Sequence, residues 1–190
     1  PRQTHTTNVQ VIKDVPTSEE LQDVDAVVTQ LKDFCLCVST ADCVPVLLYD
    51  KEKEVIAAVH AGWRGTVGRI VEKTIEVMKS HYGSEGKDLV ACIGPSISLE
   101  SFEVGDEVYA AFEEAGFDMS RIACRYEKWH LDLWEANRMQ LLAHGVLPEH
   151  IEVVGICTFQ RHEDFFSARR LGIKSGRILS GIMLCHSSAG

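Results

Sequence analysis

Two side chains able to do chemistry bracket the stretch "TADCVPVLLYDKEKEVIAAVHAGWRG", residues 40–65. Cys43 opens the first of its two apolar runs and His60 closes the second. A cysteine and a histidine on neighbouring strand ends suit either of two chemistries, ligation of a metal ion or a nucleophile with its base. Position alone also allows a buried structural thiol at Cys43, because a reduced cysteine behaves as a small hydrophobe. If the two runs form a hairpin about a turn centre near residue 52, Cys43 and His60 stand equally far from it and meet on one face. A catalytic zinc takes three protein ligands and keeps one position open. The third has to come from elsewhere, and "RQTH" at 2–5 offers His5, where spacing equally allows a surface histidine.

Three further stretches carry chemistry-bearing residues. "GWRG" at 62–65 leads into a helix whose entry, at Gly65 and Thr66, presents backbone N–H groups to an anion, and Arg64 adds a forked donor for phosphate. A turn with a surface arginine fits the same letters. "FFSARRLGIKSGR" at 165–177 gathers Arg169, Arg170, Lys174 and Arg177 into a positive patch, or a solvated loop before the last strand. "CTFQ" at 157–160 places Cys157 and Thr158 at a strand end facing either a cleft or the core. Copper oxidation at several centres draws on many histidines in His-x-His pairs; the chain has 8 histidines and no such pair.

These residues are positioned by short β-branched strands at 8–12, 25–30, 34–40, 44–50 and 54–61, the last two forming the hairpin. Their near-continuous apolar character predicts a sheet covered on both faces. A helix follows over 65–83, capped by Thr66 and stopped by Gly83, with Val67, Ile70, Val71, Thr74 and Met78 on one face. A strand at 88–94, helices at 105–116 and 132–145, and strands at 151–159 and 176–185 complete the order. This is a mixed α/β (α+β) arrangement of mixed sheets flanked by helices, not a regular βαβ array. No linker, repeat or low-complexity tract divides the chain, so residues 1–190 are expected to be one domain.

Composition narrows the class. A formal net charge of −9 without a Lys/Arg block argues against a nucleic-acid partner, although a local arginine cluster can still bind a small anion. The 7 cysteines include no C-x-x-C pair and sit mostly in apolar runs, which points to a reducing, cytoplasmic setting. No run approaches a membrane span.

At "TADCVPVLLYD", "HAGWRG", "IGPSIS", "FEVGDEV" and "FFSARR" the chain resembles the zinc-dependent purine nucleoside phosphorylases once called laccase-domain or multicopper polyphenol oxidoreductase proteins. This group includes the YfiH-like peptidoglycan-editing factors, and the resemblance runs over essentially the whole chain. It implies a metal site of His5, Cys43 and His60, and a fold shared with the deamidating necrotizing-factor toxins. Implied activities are phosphorolysis of adenosine, inosine, guanosine or methylthioadenosine, and deamination of adenosine. Partners would then be a purine nucleoside and phosphate. Zinc is expected from the mixed Cys/His ligands, which copper also favours. The chain departs from the family pattern at Thr6, where glycine usually follows the first ligand, and is expected to lack an N-terminal segment.

In that reading Arg64 is the first phosphate holder and Arg170 the second. Asp42, beside Cys43, is a candidate to orient a ligand or accept a proton, although strand alternation turns it to the opposite face. A Cys–His hydrolase with Cys43 as nucleophile and His60 as base, acting on an amide or muramyl-type substrate, uses the same geometry. Copper-dependent polyphenol oxidation is a further alternative.

Overall fold

The structure, a computed structural model, describes residues 1–186. Its centre is the 44–61 hairpin. β4 (Val44–Asp50) and β5 (Val55–Ala61) pair antiparallel around a turn in which the Asp50 carboxylate accepts from the Glu52 and Lys53 amides. On one side β5 pairs with β2 (Ala26–Thr29), which lies parallel to β1 (Val9–Ile12). On the other, β4 pairs with β6 (Leu89–Ile93), which lies parallel to β10 (Ile151–Val153). The six-stranded sheet therefore runs β1-β2-β5-β4-β6-β10 and is mixed.

Strand alternation splits its core in two. Val55, Ala57, Val59 and Ala61 of β5 join the larger cluster under the helices, while Ile56 and Ala58 join a smaller one on the reverse face. All seven residues of β5 are buried, so the expectation that both faces are covered holds. The reverse face is covered by a two-stranded sheet of β3 (Leu36–Thr40) and β11 (Ile178–Ile182). His60 has the parity of Ile56 and Ala58, and therefore emerges where the main sheet meets β3.

The helix expected over 65–83 is two helices. α1 (Trp63–Val67) begins after Gly62, and α2 (Ile70–Tyr82) begins after Arg69. The break falls at Arg69, which takes a left-handed φ of 63°. Its guanidinium lies 3.8 Å from the Phe117 ring centroid and donates to the Ala115 carbonyl at 2.7 Å, contacts from residues distant in sequence. Thr66 is no cap: it is buried inside α1, and its hydroxyl accepts from Asn137 at 3.1 Å. Gly83 ends α2 in the left-handed conformation, as expected.

α3 (Asp106–Glu114) and α5 (Leu133–Ala143) match the two later helices, and Asp132 caps α5 by accepting from the Glu135 amide. A short α4 (Met119–Ile122) lies between them, and β7 (Glu103–Val104), just ahead of α3, joins β9 (Trp129–Leu131) and β8 (Ala123–Arg125) in a small sheet of order β7-β9-β8. The strand expected over 151–159 stops at Val153 because Gly155 turns left-handed. Before β11 the chain makes one turn of helix, α6 (Ala168–Leu171), capped by Ser167. No helix among the described residues is long and apolar enough to cross a membrane.

Candidate metal centre

The hairpin register pairs Pro45, not Cys43, with His60. The turn centre lies one residue later than expected, so the register moves by two and Cys43 stands diagonally to His60. An even shift preserves the face, and both side chains still point to the same side of the sheet. His5 arrives on the segment before β1, in a left-handed conformation with φ of 64°. Its Nε2 lies 3.8 Å from the Cys43 Sγ, and its ring meets that of His60 edge-on at 4.9 Å between centroids. The three ligand atoms lie within 4.8 Å of one another.

Asp25, which sequence reasoning passed over, holds this arrangement together. It is fully buried at the head of β2, where the β2–β5 register places it opposite His60. Its Oδ1 accepts from His60 Nδ1 at 2.7 Å and from the His5 amide at 3.0 Å. Its Oδ2 accepts from the Thr4 and Thr6 amides, at 3.2 and 2.9 Å, and from the Thr6 hydroxyl at 2.8 Å. One carboxylate thus fixes the backbone that presents His5 and the ring of His60. Because a carboxylate only accepts, it sets the proton of His60 on Nδ1 and leaves Nε2 for the site.

The electrostatics follow from these contacts. Burial pushes the Asp25 carboxyl up, but its hydrogen bonds from His60, Thr6 and Thr4 outweigh burial and hold it well below the usual carboxylate range. Burial pushes His60 down, and its bonds to Asp25 and Cys43 raise it to about 9. Burial pushes Cys43 up, and its contacts with His5 and His60 bring the thiol down to about 6. A low-lying thiol between two imidazoles is the donor set of a Cys/His zinc site. Bond lengths of 2.0–2.3 Å place tetrahedral ligand atoms roughly 3.3–3.8 Å apart, so the group needs only to contract slightly. The residues fit a zinc ion.

Gly62 makes that approach feasible. A β-carbon there would lie 2.9 Å from His5 Cδ2 and 3.1 Å from the Cys43 Sγ. Gly62→Ala is therefore expected to lower zinc affinity at least about tenfold by forcing His5 away, a magnitude typical of disturbed ligand positioning. Zinc titration against a competing chelator checks this, and an unchanged affinity would separate Gly62 from the site.

The three residues open into a cavity of about 440 Å³, which Thr40, Gln3 and Arg177 also line. Thr40 is 1% exposed and its hydroxyl has no hydrogen-bond partner among the described residues. Gln3 ties the His5 segment to β3, its amide exchanging two bonds of 2.7 Å with the Ser39 backbone. Thr40 could have been suspected from "TADC", but nothing local distinguishes it from a core threonine.

Of the other sequence candidates, Arg64 is exposed and lies over its neighbour Trp63 at 4.4 Å, outside the cavity lining. Arg170 is exposed over Phe159 at 5.2 Å, also outside it. Both oxygens of Asp42 are engaged elsewhere, Oδ1 by the Thr158 hydroxyl at 2.8 Å and Oδ2 by the Arg169 amide at 2.7 Å. The carboxylate that orients a candidate ligand is Asp25, because strand pairing brings it opposite His60, while Asp42 fastens α6 beside the cavity. Cys157 and Thr158 are both buried, so neither faces a cleft.

Comparison with known proteins adds a frame to this geometry. A family model described as multi-copper polyphenol oxidoreductase laccase matches residues 1–185. A Bacteroides thetaiotaomicron protein named purine nucleoside phosphorylase is 59% identical, over 97% of this chain and 72% of its own. Adenosine deaminase RL5, from an unknown prokaryotic organism, is 45% identical, over 96% of this chain and 73% of its own. The crystal structure of YlmD from Geobacillus stearothermophilus superposes with a TM-score of 0.89 at 30% identity, covering 97% of this chain and 72% of that one.

Proposed function

Since the chain belongs to the multi-copper polyphenol oxidoreductase laccase family, we propose that it is a zinc-dependent purine nucleoside phosphorylase that also deaminates adenosine. The observation carrying this reading is the convergence of His5, Cys43 and His60 on one cavity, with Asp25 behind them. Relatives named for phosphorolysis and for deamination support the two activities. When bound, the zinc would supply Lewis acidity at the floor of the cavity.

The chain's own residues then have separable tasks. In phosphorolysis a phosphate oxygen bonds to the ribose anomeric carbon, the glycosidic C–N bond breaks, and its electron pair leaves with the purine. Arg177, which lines the cavity with its guanidinium donating to the Ser175, Gly176 and Ile173 carbonyls, is assigned to hold phosphate, while the exposed guanidinia of Arg64 and Arg170 are assigned to drawing the anion toward the mouth. The unpartnered Thr40 hydroxyl is assigned a hydrogen bond to the nucleoside. The test is hypoxanthine release from inosine by zinc-loaded protein. Release is expected only with phosphate present; release independent of phosphate would replace phosphorolysis by hydrolysis.

A second reading has one observation in its favour. Asp25, His60 and Cys43 form an acid–imidazole–thiol series like that of a thiol hydrolase. Zinc occupancy separates the two, because a thiolate held by zinc cannot attack. Iodoacetamide is expected to alkylate Cys43 of the chelated protein at pH 7, at least about tenfold faster than in zinc-loaded protein. Equal rates with stoichiometric zinc bound would remove Cys43 from the ligand set and promote the hydrolase.

A further inference from the structure

A second thiol site lies at the start of β3, a strand that carries none of the three ligands. Cys35 and Cys37 face each other with their sulfurs 3.5 Å apart at the start of β3. Residues two apart on extended chain have Cα atoms about 6.6 Å apart, just inside the range a disulfide spans. Gly181, paired with Cys37, leaves room for both sulfurs: a β-carbon there would sit 2.8 Å from the Cys37 Sγ and 3.1 Å from that of Cys35. Any other residue at Gly181 would wedge the pair apart.

The two thiols are not equivalent. Cys35 is exposed and precedes the ladder, whose last pair is Leu36 with Ile182. Its backbone is therefore free to give the small displacement that bonding requires. Cys37 is partly buried and fixed by its pairing with Gly181. Beside both lies an apolar pocket of about 180 Å³, walled by Phe34, Ile12 and Leu21.

We propose that Cys35 and Cys37 are a reactive dithiol that closes to an intramolecular disulfide by exchange with a low-molecular-weight disulfide. The exposed Cys35 thiolate attacks one sulfur of the reagent, forming a mixed disulfide and releasing the first thiol. The Cys37 sulfur then attacks Cys35 Sγ, releasing the second. Two protein thiols are oxidised, the reagent's S–S bond is reduced to two thiols, and both protons end on the leaving thiols. Burial, together with Cys35 alongside, pushes the Cys37 thiol up, which makes it the slower of the two toward an outside reagent and leaves the first attack to Cys35.

The test treats the zinc-loaded protein with glutathione disulfide and follows intact mass and peptide maps. The wild type is expected to lose two hydrogens and two of its 7 thiols, with Cys35 joined to Cys37. Cys37→Ser is expected to stop at glutathione on Cys35, and Cys35→Ser to react at Cys37 at least tenfold more slowly. A stable glutathione adduct on wild-type Cys35, or a disulfide from Cys35 to Cys185, would overturn the proposal. The wild-type map decides the matter even if a variant folds poorly.

Discussion

Cys43→Ala is expected to abolish stoichiometric zinc binding and phosphate-dependent base release together, leaving the fold intact. Removal of a ligand costs more than the 10- to 100-fold loss in affinity seen when only an outer partner is removed. The expected drop in zinc affinity is therefore at least about 100-fold, with turnover falling to the level of the chelated wild type. Cys43 is only half-buried and precedes β4, so truncating one sulfur there should cost about 1 kcal/mol or less of stability. Zinc content, base release and the thermal transition, measured on one preparation, separate the readings. If zinc stays bound with unchanged affinity while turnover vanishes, Cys43 acts as a nucleophile. If both survive, the thiol has no part in the site.

Much of this centre was legible because its logic is local. Two near-continuous apolar runs on either side of "DKEKE" predict a hairpin, and a hairpin puts Cys43 and His60 near each other whatever the fine register. The expected register was off by two, and the conclusion survived because side-chain direction repeats every two residues. Asp25 escaped for the opposite reason. Its partners, His60 and the 4–6 segment, come from a strand distant in sequence and from a loop, and no spacing rule links them. The only signal was a carboxylate at the head of the apolar run "DAVVTQ", a costly place for a charge unless something nearby bonds it. Thr66 and Arg69 failed similarly. Helical periodicity is continuous through them, but Phe117 and the Ala115 carbonyl hold Arg69 in a conformation that local propensity would reject.

Asp25→Asn should uncouple zinc binding from folding through a single proton. Three donors from Thr4 and Thr6 meet Oδ2, so the asparagine oxygen is expected to stay there and its N–H₂ to face His60, where it can bond only to an unprotonated Nδ1. The ring proton then moves to Nε2, the atom that faces the site, and the ligand is blocked. Zinc affinity is expected to fall about 10- to 100-fold or more, with the strand intact. Asp25→Ala goes further, orphaning three amides, the Thr6 hydroxyl and His60 in a fully buried position. A loss of roughly 3–5 kcal/mol is expected. In chelated protein its pH profile has a definite sign. The depressed Asp25 carboxyl stabilises the wild type above about pH 4, and that advantage is lost as pH falls through the folded pKa. His60, raised to about 9, stabilises it fully below about pH 6.5, and its share is lost as pH rises through 9. The stability gap between wild type and Asp25→Ala should thus be widest from about pH 4 to 6.5 and narrow toward 9. A gap that does not vary with pH would mean that Asp25 acts through its shape alone, and that the charge pair behind His60 contributes nothing to holding the metal's ligands in place.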